Sequence, residues 1–142
     1  MMNAMIPLSN LDQIFNTFFA GPNECRSTEG ESRGACLTPR ANVYEGDQEY
    51  RIELEMAGVD RKNVQIDVEG EVLTVKATRE TEIPEGFKAR RREHAPKLSL
   101  QRSFRLGKEI DADGINAKLD NGVLQLSLRK SERALPRRIE IK

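Results

Sequence analysis

Apolar and polar residues alternate one by one along most of the chain after residue 40, a pattern typical of half-buried β-strands. The clearest case covers residues 113–129, where two alternating runs flank the tripeptide Asp120-Asn121-Gly122. An Asn-Gly pair supplies the positive φ angles that a two-residue hairpin turn requires. The pattern therefore predicts a β-hairpin whose apolar face is formed by Ile115, Ala117, Leu119, Leu124, Leu126 and Leu128.

Shorter alternating runs precede this hairpin, and turn-forming residues separate them. Together with the hairpin they predict an all-β fold, an immunoglobulin-like antiparallel β-sandwich of about seven strands. The runs cover residues 42–44, 50–56, 64–68, 73–77 and 98–106.

One long segment interrupts this rhythm. Residues 81–97 contain Pro84, Gly86 and Pro96, which break strands and favour turns. The segment is predicted to be a long loop, with a short strand near Phe87 as an alternative.

The N-terminal part of the chain has a different pattern. Within residues 9–20, apolar side chains recur at helical spacing, which predicts a short amphipathic helix at about residues 10–20. Residues 23–39 are rich in Gly, Ser and Thr and are predicted to be a flexible linker. The apolar stripe of the helix consists of Leu11, Ile14, Phe15, Phe18 and Phe19.

The patterns divide the chain into three parts. These are an arm over residues 1–39, a sandwich domain over 40–130 that contains the 81–97 loop, and an extended tail over 131–142. The tail ends in Ile139-Glu140-Ile141-Lys142. This apolar end could be a last edge strand on its own sandwich or a tag that binds another subunit.

Composition excludes several classes of function. The chain has 142 residues, with 23 basic and 23 acidic residues, so no overall charge draws it to nucleic acid or to an anionic membrane. The basic run at residues 88–92 lies among acidic residues and has no aromatic residues interleaved in it, which favours a solvated loop face. No apolar run is long enough to cross a bilayer. We expect a soluble cytoplasmic protein without nucleic-acid or membrane partners.

The sequence gives no support for catalysis or for a bound cofactor. Its cysteines are Cys25 and Cys36, which we predict to be free thiols, and its single histidine is His94. A thiol enzyme would need His94 to reach a cysteine in the linker, and nothing in the spacing favours that arrangement. A phosphate-binding Gly-Lys-Ser/Thr loop is also absent. We predict no enzyme activity, no metal and no cofactor.

The hairpin segment Ala117-Lys118-Leu119-Asp120-Asn121-Gly122-Val123-Leu124 resembles the A-x-x-x-N-G-V-L signature of the small heat-shock proteins, in their α-crystallin domain. Further segments are similar to other family motifs in the same order, although Gly107 stands where the family usually has proline. These segments are Glu55-Met56-Ala57-Gly58-Val59, Val72-Leu73-Thr74-Val75-Lys76-Ala77, Arg102-Ser103-Phe104-Arg105-Leu106 and the C-terminal Ile139-Glu140-Ile141.

The resemblance implies an ATP-independent holdase that binds partly unfolded client proteins, prevents their aggregation and works as a homo-oligomer built from dimers. In bacterial and plant-type members, a strand of the long loop pairs with a neighbouring subunit, here within residues 83–94. The dimer residues implied for this chain are Ile83, Phe87, Arg90, Arg91 and Arg102.

The resemblance also implies how dimers join. The tag residues Ile139 and Ile141 would fill a groove on another dimer. The implied groove residues are Val64, Ile66, Val68, Ile115 and Leu119.

Some predictions keep a second interpretation. The stripe of the arm could bind clients or only pack between subunits. Arg102 could form an ion pair across the dimer interface or extend its charge from an apolar face to water. The rival function is a p23-like co-chaperone, a sandwich module that would work without large oligomers, and the tag argues against it.

Overall fold

The computed structural model describes residues 34–132 and 138–142. The described residues form a β-sandwich of two four-stranded sheets, which confirms the predicted all-β fold. The sheet orders are β1-β6-β5-β4 and β2-β3-β8-β7. The strands are β1 (Gly34–Leu37), β2 (Ala41–Glu45), β3 (Glu49–Glu55), β4 (Val64–Glu69), β5 (Val72–Glu80), β6 (Lys97–Arg105), β7 (Ile110–Asp120) and β8 (Val123–Lys130), and one turn of 3₁₀-helix covers Arg61–Asn63.

The predicted hairpin is formed by β7 and β8. Asp120 pairs with Val123, so the turn consists of Asn121 and Gly122. Both turn residues have positive φ, 48° and 74°, as the Asn-Gly pair predicts. A register shift between Ile110 and Ile115 bends the start of β7.

The core lies between the two sheets and is built from alternate positions of the strands. This is the physical result of the period-two pattern, because successive side chains of a strand point to opposite faces. The side chains without exposed surface are Ile52, Leu54, Met56, Leu73, Val75, Phe104, Leu126 and Leu128.

Strand β1 lies inside the segment that the sequence predicts to be a linker, so that prediction is wrong for residues 34–37. The strand pairs in parallel with β6, with Ala35 opposite Leu98 and Leu37 opposite Leu100. A strand of four residues in a Gly- and Ser-rich stretch is too short for an alternating pattern to stand out. The sandwich therefore begins before residue 40.

The segment between β5 and β6 is a loop over residues 81–96, which is one residue shorter than the predicted 81–97 because β6 begins at Lys97. The alternative of a strand near Phe87 is not found in this single chain. Instead, the Phe87 amide donates to the Pro84 carbonyl at 3.1 Å, and Gly86 has a φ of 81°. Proline and glycine thus form a tight turn here rather than an extended segment.

The connection between β1 and β2 shows which edges of the two sheets lie together. Residues 38–40 join β1, an edge of one sheet, to β2, an edge of the other. Four peptide steps span at most about 14 Å. The far edge of a stacked four-stranded sheet would be roughly 17 Å away, from about 4.8 Å between strands and about 10 Å between sheets. Hence β1 and β2 share one edge of the sandwich, and β4 and β7 share the other.

Candidate functional site

The β4/β7 edge carries the residues that the sequence assigns to a groove. On β4, Val64 and Ile66 are half-buried, and Val68 is 38% exposed. Val64 and Ile66 pack against the core from the side of the sheet edge. Because β4 pairs only with β5 among the described strands, its outer hydrogen-bonding side faces away from the sheet.

On β7, the apolar positions of the groove are Ile115 and Leu119, which are half-buried and also pack against the core. Between them, Ala117 is exposed, although its partner Leu126 on β8 is fully buried. The small alanine side chain thus lies between two larger apolar side chains on the same face of the strand. The sequence pattern placed Ala117 on the core face and did not predict its exposure, since periodicity does not distinguish an edge strand from a central one.

The tag residues are the most exposed large apolar side chains of the described chain. Ile139 is 86% exposed and Ile141 is 97% exposed. Residues 138–142 have no regular secondary structure. The interpretation of Ile139-Glu140-Ile141 as a last edge strand on its own sandwich is therefore wrong for this structure, because the described tail residues pair with no strand.

Two of the segments that carry the resemblance contact each other at one end of the sandwich. The Met56 amide donates to the Gly122 carbonyl at 2.6 Å. A β-carbon at Gly122 would lie 3.2 Å from the Ala57 α-carbon. This close approach is a second reason for a glycine at position 122, in addition to its positive φ angle. Arg79 closes the corner from β5, because its Nη1 donates to the Ala57 carbonyl at 2.7 Å.

Arg102 lies on β6 and reaches toward the β1/β2 edge. Its Nη1 donates to the Pro39 carbonyl at 2.8 Å, and its guanidinium lies 5.3 Å from the centre of the Phe104 ring. Burial lowers the pKa of the Arg102 guanidinium from its ordinary value. The side chain therefore stabilises the connection between β1 and β2 within its own chain, a role that neither interpretation of the sequence included.

The other predicted dimer residues lie in the 81–96 loop. Phe87 is 73% exposed and Ile83 is 46% exposed, and both line a cavity of about 370 Å³ on the loop. Arg90 and Arg91 are exposed. The loop is fixed at its start by Arg92, whose Nη2 donates to the Thr81 carbonyl at 2.7 Å. Ile83 and Phe87 are thus exposed to solvent on a loop that the hydrogen bond from Arg92 to Thr81 holds in place.

The prediction of free thiols is wrong for Cys36, because this residue is disulfide-bonded. It lies on β1 opposite Ser99 of β6. The chain contains one other cysteine, Cys25, which lies outside the described residues. His94 is exposed on the loop, and the described part of the chain contains no cluster of His, Cys, Asp and Glu that could hold a metal ion.

The predicted client-binding stripe and its helix lie outside the described residues. The predictions for that stripe therefore stay predictions. Its members are Leu11, Ile14, Phe15, Phe18 and Phe19.

Comparison with known proteins identifies the family. The family model described as Hsp20/alpha crystallin family matches residues 42–142. The small heat shock protein C2 of Rickettsia felis is 33% identical over 141 residues, covering 99% of this chain and 90% of that protein. The chain belongs to the Hsp20/alpha crystallin family.

Other similarities agree with this family. Heat shock protein 16.0 from Schizosaccharomyces pombe has a similar structure, with a TM-score of 0.64, 27% identity and coverage of 94% of this chain and 90% of that one. The 18 kDa antigen 2 of Mycobacterium avium is 38% identical over 112 residues, covering 78% of each protein. Members of the family are ATP-independent chaperones and not enzymes, so the chain has a chaperone-type role. Within residues 34–132 and 138–142, no helix is long and apolar enough to cross a membrane.

Proposed function

We propose that this chain is an ATP-independent holdase of the cytoplasm, which binds partly unfolded proteins and prevents their aggregation as an oligomer built from dimers. The observation that supports this proposal most is a pair of exposed apolar surfaces, one on the tail and one on the edge of the sandwich. A tail presents Ile139 and Ile141 to solvent, and the β4/β7 edge presents a row of half-buried aliphatic side chains. The two surfaces are complementary in chemistry, and no described tail residue covers the edge of its own sandwich.

The tag binds the β4/β7 edge of another dimer in this proposal. Burial of Ile139 and Ile141 would contribute a gross free energy of about 3 to 6 kcal/mol, from about 1.5 to 3 kcal/mol for each side chain. Ordering the tail and losing the freedom of a subunit oppose much of this gain. Each contact is therefore weak and reversible, while many contacts in one particle hold it together through effective concentration.

The 81–96 loop forms the dimer in this proposal. A strand within residues 83–94 pairs with a neighbouring subunit, and the loop places Ile83 and Phe87 where a second copy can cover them. Arg90 and Arg91 lie on the same loop and contact that subunit. Arg102 holds the β1–β2 connection of its own chain through Pro39, so in this proposal it stabilises the domain and makes no contact with the neighbouring subunit.

Clients bind through apolar surfaces that open when contacts between dimers release. The stripe of Leu11, Ile14, Phe15, Phe18 and Phe19 provides the first surface, because aromatic and aliphatic side chains adapt to varied apolar partners. A β4/β7 edge vacated by a tag provides a second one. Reversible tag contacts thus connect the size of the particle to the amount of apolar surface offered to clients.

An aggregation assay tests the holdase function. An unrelated enzyme is heated without ATP in the presence of this protein, and turbidity is followed over time. We expect suppression at roughly equal subunit concentrations, because binding of the unfolded chain competes with aggregation. Turbidity that is unchanged at a several-fold molar excess of the protein would contradict the holdase function.

The same preparation tests assembly. Native mass spectrometry of Ile139→Ala/Ile141→Ala should show dimers in place of the larger particles of the unchanged protein. Glu140→Ala is the matched control, because it alters the polar residue between the two isoleucines. Particles of unchanged mass in the double variant would exclude the tag as the link between dimers.

A further inference from the structure

The root of the C-terminal tail is held by a compact group of polar side chains, which we call the root clamp and define as Glu45, Tyr50, Glu109 and Lys130. Lys130 is the last residue of β8, and its Nζ lies 2.6 Å from Oε1 of Glu45 at the end of β2. The two side chains are only 13% and 20% exposed. An ion pair this sheltered is screened much less by solvent than one on an open strand face.

Tyr50 connects the two charged groups of the pair. Lys130 Nζ lies 4.9 Å from the centre of the Tyr50 ring, and the Tyr50 hydroxyl donates a hydrogen bond to Glu45. Burial, this hydrogen bond and the negative charges of Glu45 and Glu109 raise the pKa of Tyr50. The hydroxyl therefore remains protonated and keeps its role as a donor.

Two backbone hydrogen bonds extend the clamp into the tail. The Lys130 amide donates to the Gln48 carbonyl at 2.8 Å, and the Ser131 amide donates to the Glu109 carbonyl at 2.6 Å. Strand pairing in β8 ends at Lys130, so the second bond already belongs to the first residue of the tail. The path of the chain is thus fixed one residue beyond the sheet.

Gly107 makes room for this arrangement. The carboxylate of Glu109 occupies the space where a β-carbon at position 107 would lie. Oε1 of Glu109 is buried, and it has no hydrogen-bond partner among the described residues. A residue with a side chain at position 107, including the proline usual in the family, would displace the carboxylate from the clamp.

We propose that Glu45 and Lys130 are positioning residues for the tail, and that their ion pair sets the direction in which the chain leaves β8 and therefore the neighbouring groove that its tag reaches. This inference rests on the proposed function, in which the tag joins dimers. From Lys130 to Ile139 the chain spans at most about 30 Å. Within that radius, the direction of the root selects among the grooves of neighbouring dimers.

In this role the root clamp determines how many subunits a particle contains, in addition to stabilising its own domain. When the root is fixed, all tails leave their domains at one angle, and the assembly closes with one number of dimers. When the root is free, tails reach grooves in several directions and particles of several sizes form. The spread of particle masses therefore reports the positioning role. An ion pair that only stabilised the domain would leave this spread unchanged.

The test compares Glu45→Gln and Lys130→Met with the unchanged protein, well below the unfolding temperature. Native mass spectrometry gives the spread of subunit numbers, and hydrogen exchange gives the protection of the Ser131 amide. We expect the spread to increase about twofold and exchange at Ser131 to become about tenfold faster, as expected for loss of roughly one local interaction. Lys118→Met is the matched control, because Lys118 pairs with Asp120 on an exposed strand face at 3.7 Å.

The outcomes separate this inference from the proposed function on which it rests. An unchanged spread in both clamp variants, with Ile139→Ala/Ile141→Ala reduced to dimers, overturns the positioning role and leaves the role of the tag intact. An unchanged mass in Ile139→Ala/Ile141→Ala overturns both. Should Lys130→Met fold incompletely, Glu45→Gln decides the result, because it removes one charge and preserves the size of the side chain.

Discussion

The β1/β2 edge and the β4/β7 edge are built from the same kind of strand but are covered differently. At the β1/β2 edge, the chain passes from one sheet to the other through a buried Pro39, which Arg102 holds by a hydrogen bond. At the β4/β7 edge, aliphatic side chains extend to the rim, and the exposed Ala117 lies between Ile115 and Leu119. One edge is thus stabilised from within the chain, and the other leaves apolar surface partly exposed.

This difference shows where a sandwich of this kind can bind another chain. A half-buried aliphatic side chain at a sheet edge is packed well enough to keep its position and exposed enough to gain from further burial. Val64 and Ile66 meet both conditions. A fully buried residue such as Leu126 meets only the first. The comparison therefore favours the β4/β7 edge as the proposed assembly surface and the β1/β2 edge as a source of local stability.

The largest expected effect comes from Ile115→Ser/Leu119→Ser, which removes the apolar wall on β7. The variant should lose its large particles and form dimers, because the groove no longer binds the tag. Its unfolding free energy should fall by only about 1 to 3 kcal/mol, since both side chains are half-buried. Native mass spectrometry and urea unfolding measure the two quantities.

Asn116→Ser/Lys118→Ser is the control for that variant. It alters the same strand on the opposite, exposed face and should leave both mass and stability unchanged. Equal loss of large particles in the two variants would show that damage to β7, rather than loss of the groove, causes dissociation.

The disulfide of Cys36 should give the next largest effect, at the β1/β2 edge. Reduction should lower the unfolding free energy by about 2 kcal/mol, because it removes a constraint on the unfolded chain and releases β1. Urea unfolding with and without a thiol reductant measures this. Cys36→Ser should be insensitive to the reductant, because it removes a sulfur atom of the disulfide. A reductant effect that persists in Cys36→Ser would contradict this prediction.

Arg102→Met should have a smaller effect at the same edge. Loss of the hydrogen bond to Pro39 should lower the unfolding free energy by about 1 to 2 kcal/mol without changing particle mass. The neighbouring Arg105→Met, at an exposed position of β6, is the control. Dissociation of dimers in Arg102→Met would instead favour the interface ion pair that the sequence suggests.

The central strands of the fold were predictable from the sequence. Their alternation is strong because β3, β5 and β8 have a core on one face, and the Asn121-Gly122 turn has a backbone requirement that few residues meet. The start of the sandwich was not predictable. Strand β1 has four residues, and its parallel pairing with β6 depends on tertiary contacts that no local pattern encodes.

In the candidate site, too, some features were predictable from the sequence and others were not. The half-burial of Val64, Ile66, Ile115 and Leu119 agrees with their strand pattern, whereas the exposure of Ala117 depends on the position of β7 at an edge. Their role as a groove for the tag stays a prediction. The root clamp was not predictable. Glu45 and Lys130 are 85 residues apart in the chain, and only the folded sheet brings their side chains together.

The most direct test of the central claim is to locate the tag on the sandwich. A peptide with the sequence of residues 138–142 is added to the ¹⁵N-labelled Ile139→Ala/Ile141→Ala protein, and amide shifts are followed by NMR. If the tag binds the β4/β7 edge, we expect saturable shifts along β4 and β7, centred on Val64, Ile66, Ile115, Ala117 and Leu119. Shifts confined to the β1/β2 edge, or no saturable shifts at any peptide concentration, would contradict it.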